Sequence, residues 1–474
     1  MVAFYINKKY FYIFIFFGLG IIQSLIANSK EAHVFETTLS FIPETAGSFF
    51  SGEDNSYFAV FERTITILNK DFIISSAIRF SKNISAFDFG DINGDGYDDL
   101  IEFGPEGVFV RYQNNNSNFI KREKINIKEY FFAPYYTVNV ERITLGADID
   151  NDKDFDLILP GVGKFYFFEN NLGRYIKKSV MPFDFISKFS DRVWKNSDRR
   201  SNTVRAQSFI PRLYFKDLNN DTILDAYCRT ENKVYFYLSQ LQKNNIMPFN
   251  QTILRVFPVE LSEVYASYVE VDDLNNDNNP DLIFSIIKGL GLKIRTEIFV
   301  FWGKNFIPDS SNKTFFIQQG GFFSPLVASF NMKKKLIIPT IDPGVTFFIN
   351  YIVRRKILIN AAFLSIENKQ IVEENNVSLS FDAEGSLFPG FTTGDFNADS
   401  NTDFVLGHTL REMAIYKGDN SHDVEFWQNI NVPSYGILKT VTNPAGKDEL
   451  IIFLPQVLEE YDRKKIFLVR FAGE

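Results

Sequence analysis

Short apolar runs recur along the chain, each bounded by polar, turn-forming residues, and they come in pairs. Leu100–Phe103 is followed by Val108–Tyr112, Leu157–Leu159 by Phe165–Phe168, and Leu282–Phe284 by Ile298–Trp302. In each pair the second run is rich in aromatic residues, which favour strands. The same pairing recurs at Tyr57–Phe61 with Thr64–Leu68, Leu336–Pro339 with Thr346–Asn350, and Leu450–Leu454 with Lys465–Arg470. The pattern predicts a succession of short β-strands joined by turns.

An acidic pattern precedes the apolar run in five units. It reads Asp91, Asn93, Asp95, Tyr97, Asp99 in the first copy and Asp148, Asp150, Asp152, Asp154, Asp156 in the second. The third is Asp217, Asn219, Asp221, Ile223, Asp225, and the fourth Asp273, Asn275, Asp277, Asn279, Asp281. The fifth is Asp395, Asn397, Asp399, Asn401, Asp403. Successive copies start 57, 69, 56 and 122 residues apart, and the last interval, close to two periods, places a unit lacking the pattern between the fourth and fifth. With the three units that lack carboxylates the count is eight. Strands of this length in units of this size predict an all-β fold, a β-propeller of four-stranded antiparallel blades. Eight blades is the count; seven is the alternative, if one degenerate unit is a long loop. Each unit reads strand A, acidic loop, strand B, turn, strand C, strand D. The last unit stops at strand C, and Val34–Phe41 is left over at the start, so that segment is expected to supply the missing strand and close the ring.

Alternating hard oxygens at positions 1, 3, 5 and 9 of a tight loop, with the carbonyl of position 7 available, suit Ca²⁺. Zinc would call for Cys or His, and the chain has one cysteine and three histidines. An EF-hand is excluded, because position 12 of the loops is Glu102, Leu159, Cys228, Phe284 or Leu406 and never a repeated bidentate Glu. Five ions would add ten charges and carry the formal sum from −8 to +2. Asn331–Leu336, which carries Lys333, Lys334 and Lys335, occupies the corresponding place in a unit without carboxylates; a lysine neutralising backbone oxygens and a solvated turn are the two readings of it.

These residues carry a resemblance. Phe87-Asp88-Phe89-Gly90, the loop Asp91–Leu100 and Phe103-Gly104-Pro105-Glu106-Gly107 resemble the FG-GAP repeat, which integrin α-subunit propellers share with secreted bacterial proteins of the VCBS type. The resemblance spans nearly the whole chain, clear in five units and degenerate in three. It implies a propeller with Ca²⁺ held in the A–B hairpins at the five copies above. The chain departs from integrin α-subunits in having no leg domains and one blade more, so the ligand does not transfer with the architecture.

Composition narrows the rest. A charge of −8 argues against a nucleic-acid binder built on phosphate contacts, and one cysteine excludes an internal disulfide framework. Lys8 and Lys9 precede an apolar run from Tyr10 to Ala27, which reads as a secretory signal over residues 1–27, with an uncleaved anchor as the alternative. Residues 33–474 then form one propeller domain. The expectation is a secreted, periplasmic or surface-displayed monomer without a further membrane span, binding an extracellular protein or glycan as an adhesion or recognition module.

Partner residues are expected on the metal-free face, in the D–A connections. One candidate set is Arg192, Trp194, Arg199 and Arg200 in the insertion Lys188–Gln207; the other is Tyr135 and Tyr136. Solvated loops and buried rim aromatics are the alternatives. The chain has no nucleophile elbow or phosphate-cradling loop, so catalysis is not expected. A propeller polysaccharide lyase is the rival reading, with Arg199, Arg200 and His408 as candidates; Cys228 reads as a buried thiol.

Overall fold

A computed structural model describes residues 32–471 apart from connecting stretches, the longest being 193–202, 256–263, 383–390 and 454–461. The chain forms eight small antiparallel sheets arranged as the blades of a propeller, plus a separate two-stranded ribbon. The second blade shows the plan. Strand A is Ala86–Gly90, B is Asp99–Gly104, C is Gly107–Gln113 and D is Phe119–Lys124, hydrogen-bonded in that order. Side chains on strand A of one blade bond to the next strand A: Thr440 Oγ1 donates to Thr393 O at 2.7 Å, and Lys216 Nζ to Val271 O at 3.2 Å. The A strands therefore form the inner ring around the central channel, and D strands such as Ile74–Arg79, largely exposed, form the rim.

B strands are buried along almost their entire length because each blade packs against two neighbours. Side chains at even and odd positions alike meet apolar partners, so these strands read as continuous apolar runs. Eight apolar clusters result, one for each contact between adjacent blades. One joins Tyr57, Ala59 and Phe61 of the first blade to Ile451, Phe453 and Leu468 of the last.

The ring closes as the sequence predicts. Ala32–Thr38 pairs antiparallel with Lys465–Phe471, from Ala32 opposite Phe471 to Thr38 opposite Lys465, and completes the eighth blade. Beside this seam Arg470 Nε donates to Glu449 Oε1 at 3.0 Å and its Nη2 to Tyr57 Oη at 2.7 Å, while Tyr57 Oη donates to Glu449 Oε2. Burial pushes the Tyr57 phenol up to about 12, so it remains a donor at neutral pH.

Two expectations are corrected. Thr346–Asn350 is not a strand: Val345–Ile349 is a helix (α1), continued as a wider helical turn over Asn350–Arg354, and strand C of the sixth blade is Lys356–Glu367. Pro343 and Gly344 break the extended chain, after which Phe347 N–H donates to Gly344 O at 3.0 Å. The insertion expected as a loop at Lys188–Gln207 carries the ribbon Ile186–Arg192 with Thr203–Phe209, outside the blades. Among the described residues no helix is long and apolar enough to cross a membrane.

Glu449 is 4% exposed, so removing it strands the Arg470 guanidinium and the Tyr57 hydroxyl at the seam. Glu449→Ala is expected to destabilise the protein by about 3 kcal/mol in denaturant unfolding, whereas Glu36→Ala, on the exposed side of the same seam, should cost under about 1 kcal/mol.

Candidate functional site

The five acidic loops fold alike because their backbones alternate in handedness. Positions 4 and 6 have positive φ in every copy: Gly94 and Gly96, Asn151 and Lys153, Asn220 and Thr222, Asn276 and Asn278, Ala398 and Ser400. Glycine and asparagine adopt this conformation readily; Thr222 and Ala398 do so against steric cost, and the surrounding hydrogen bonds hold them there. The position 1 carboxylate is central to those bonds. Asp91 accepts from Gly94 N–H at 2.8 Å, Asp95 N–H at 3.1 Å and Gly96 N–H at 2.8 Å. Asp148, Asp217, Asp273 and Asp395 each accept from the N–H groups of positions 5 and 6.

Position 9 has a different task. Asp99, Asp156, Asp225, Asp281 and Asp403 are all 0% exposed. One oxygen of each accepts the N–H of position 2, as in Asp281 Oδ2 with Leu274 at 3.0 Å. The other accepts an N–H from the end of strand C, as in Asp281 Oδ1 with Gly303 at 2.7 Å. The donors in the other loops are Ile92 and Gln113, Ile149 and Asn170, Leu218 and Ser239, Phe396 and Gly418. Burial pushes these carboxyls up, to about 7 for Asp99 and about 8 for Asp156, against the pull of the two N–H donors. The position 2 residues, all buried apolar plugs, were not picked out from the sequence. Their signal was there: Ile, Ile, Leu, Leu and Phe always stand between the first two acidic positions.

Position 3 separates one loop from the rest. In four loops it is Asn, and its amide donates to the position 5 carboxylate, as in Asn93 to Asp95 at 3.0 Å and Asn397 to Asp399 at 2.8 Å. In the second loop it is Asp150, so carboxylate faces carboxylate. Oxygens of Asp148, Asp150 and Asp152 lie within 4.8 Å of one another, and Oδ1 of Asp150 and of Asp154 is buried with no hydrogen-bond partner. Burial and the neighbouring carboxylates push Asp150 up to about 6 and Asp154 to about 7. Clustered anionic oxygens, two of them in the loop without a donor, are the chemistry of a hard divalent cation site, and Ca²⁺ fits this donor set. The fourth loop is served differently on one side, where Lys369 Nζ stands 3.0 Å from Asp277. Lys334 and Lys335 of the sixth blade pair with carboxylates: Lys334 with Asp272 at 2.7 Å and Lys335 with Glu374.

A cleft of about 450 Å³ lies on the inner wall across the fourth to sixth blades, lined by Tyr214, Tyr227, Tyr268, Glu270, Ser285 and Pro325 among others. Tyr214 stacks on Tyr227 at 5.1 Å, and Tyr214 and Tyr268 are each 38% exposed. Ser285 is 1% exposed and its Oγ has no hydrogen-bond partner. Burial, then the neighbouring Asp272, push the Glu270 carboxyl up.

Of the expected partner residues, Tyr135, Tyr136, Trp194, Arg199 and Arg200 lie outside the described residues, as do the side chains of Arg192 and His408. Within the same aromatic run Phe131 packs against Phe103, Tyr166 and Phe168, a rim aromatic holding blades together. Cys228 is fully buried, and burial pushes its thiol up to about 12.

No family model and no curated protein matches the chain. Among solved structures it is similar to an Agrocybe aegerita lectin described as recognising non-reducing terminal N-acetylglucosamine, at 11% identity and TM-score 0.43, covering 93% of this chain and 99% of that one. It is also similar to BBS1N in a complex with ARL6DN, at 9% identity and TM-score 0.39, covering 83% and 94%. A chain of the mitotic checkpoint complex matches at 11% identity and TM-score 0.36, covering 92% and 91%. Likeness at this level carries no argument about function.

Asp281→Ala should leave two buried N–H groups without acceptors and lower unfolding stability by about 3 kcal/mol in denaturant titration. Asp95→Ala, at an exposed position of its loop, should cost less than half as much in metal-free buffer.

Proposed function

We propose that the protein is a calcium-clasped recognition propeller of the FG-GAP type, exported and acting outside the cytoplasm. The observation that supports it most directly is the second loop, where oxygens of Asp148, Asp150 and Asp152 lie together and Oδ1 of Asp150 and of Asp154 is buried without a hydrogen-bond partner. A divalent cation bound there would supply charge neutralisation and no chemistry of its own. Positions 1, 3 and 5 would hold it with side-chain oxygens and position 7 through its carbonyl or, in Asp154, a carboxylate. The position 9 aspartates keep lone pairs beyond those used by their N–H donors, so Asp156 could also face the ion.

The recognition part of the reading rests on a rigid ring with an open aromatic cleft on its inner wall. Tyrosine faces suit the C–H faces of a pyranose, and Glu270 and Ser285 suit its hydroxyls, so a neutral glycan end fits the cleft better than a uronate. Among the described residues the lining carries the carboxyl of Glu270 and no cation, which also opposes the lyase alternative, since that requires cations around its substrate.

Chelation should lower the melting temperature, and elemental analysis of the calcium-loaded protein should find an ion bound to the second loop. Asp152→Ala should remove one ion from that total; unchanged metal content and melting in chelator would sink the calcium assignment. For the cleft, Tyr268→Ala should weaken binding to neutral glycans on an array by roughly tenfold without altering the melt.

A further inference from the structure

The helical segment of the sixth blade has two apolar faces and only one of them is used. Phe347 and Tyr351, one turn apart and stacked at 5.9 Å, pack on Ile341, Ile357 and Ile359. The other face presents Val345, Phe348, Ile349, Ile352 and Val353, between 50% and 73% exposed. Their spacing, i, i+3, i+4, i+7, i+8, is that of one continuous helical stripe. A stripe of large apolar side chains in water needs a reason, because exposed patches of this kind mark interaction surfaces.

The surroundings select the partner. The segment Val345–Lys356 contains no acidic residue and ends in Arg354, Arg355 and Lys356, all exposed, in a chain whose formal charge is −8. The neighbouring B–C connection adds exposed Leu292 and Lys293. Gly320 holds both connections together, through its N–H to Ile294 O at 2.9 Å and its close approach to Ile341 O. Asp342 and Asp382 flank the base of the segment, Asp382 opposite Lys356 in the register, and neither lies on the stripe. Apolar side chains at the tip with cations around them complement a bilayer carrying anionic headgroups, the lipid tails taking the stripe and the phosphates the basic rim.

We propose that this helix docks the propeller on an anionic membrane surface. The chain passes into its first described strand at Ala32, opposite Phe471, at the end of strand C and so on the metal-loop side. The B–C connections lie on the other side, so a probe on the helix reports on the helix alone.

Because Cys228 is buried with its thiol pushed up, Val353→Cys offers a single reactive site for an environment-sensitive fluorophore on the full chain. Mixed phosphatidylcholine–phosphatidylglycerol vesicles should blue-shift and brighten it, added salt should weaken the effect, and phosphatidylcholine alone should give at least about tenfold weaker binding. Adding Ile352→Glu should abolish the response at an unchanged melting temperature. No spectral change with mixed vesicles overturns the proposal. So does a response that Ile352→Glu leaves intact, or one that appears with protein concentration in the absence of lipid, which would mark the stripe as a contact between copies or with another protein.

Discussion

The buried aspartate at the ninth loop position is the constraint on which the blades depend. A blade must turn sharply between its A and B strands and still meet the end of its C strand. One carboxylate, accepting from both places, fixes the two against each other in five of the eight blades. The cost is an anion with no exposure, which shows as a carboxyl pushed well above its usual range. The five loops are then built around negative charge: position 1 gathers the loop's own N–H groups, and position 3 either pairs its amide with the position 5 carboxylate or, in the second loop, leaves a bare carboxylate oxygen.

That arrangement was partly legible. Five copies of one spacing gave the ring, its eight units and the exchange of the first strand into the last blade, because a propeller repeats the same local problem and answers it with the same residues. What spacing did not separate is division of labour inside the loop. Asp99 and Asp95 look equivalent as letters, yet one is a buried acceptor for Ile92 and Gln113 and the other an exposed acceptor for Tyr97. Only the place of the C-strand N–H groups distinguishes them, and those come from residues as unlike as Gln113, Asn170 and Gly303.

The helix at Val345–Arg354 was misread for a related reason. Val, Thr, Phe, Phe and Ile in succession favour a strand by composition, and the unit needed a C strand near that point. The true C strand, Lys356–Glu367, begins after the helix and pairs from Leu336 opposite Leu364 to Thr340 opposite Asn360. Period and composition disagreed, and the Pro343-Gly344 break decided between them. The two ends of the molecule thus differ in character: one carries the acidic loops bonded to their own backbone, the other the exposed apolar stripe and basic end of the sixth-blade helix.

Ring closure has a kinetic side. Residues 32–38 find their partners only at 465–471, more than four hundred positions later. During synthesis the first strand must wait as a loose ribbon while seven blades assemble behind it. Long-range pairing of this kind is slow, and it leaves strand edges open in the meantime. The eighth blade is therefore the one blade that no partial chain can build, and a chain cut short by even its final strand would remain an open arc with two sticky flanks.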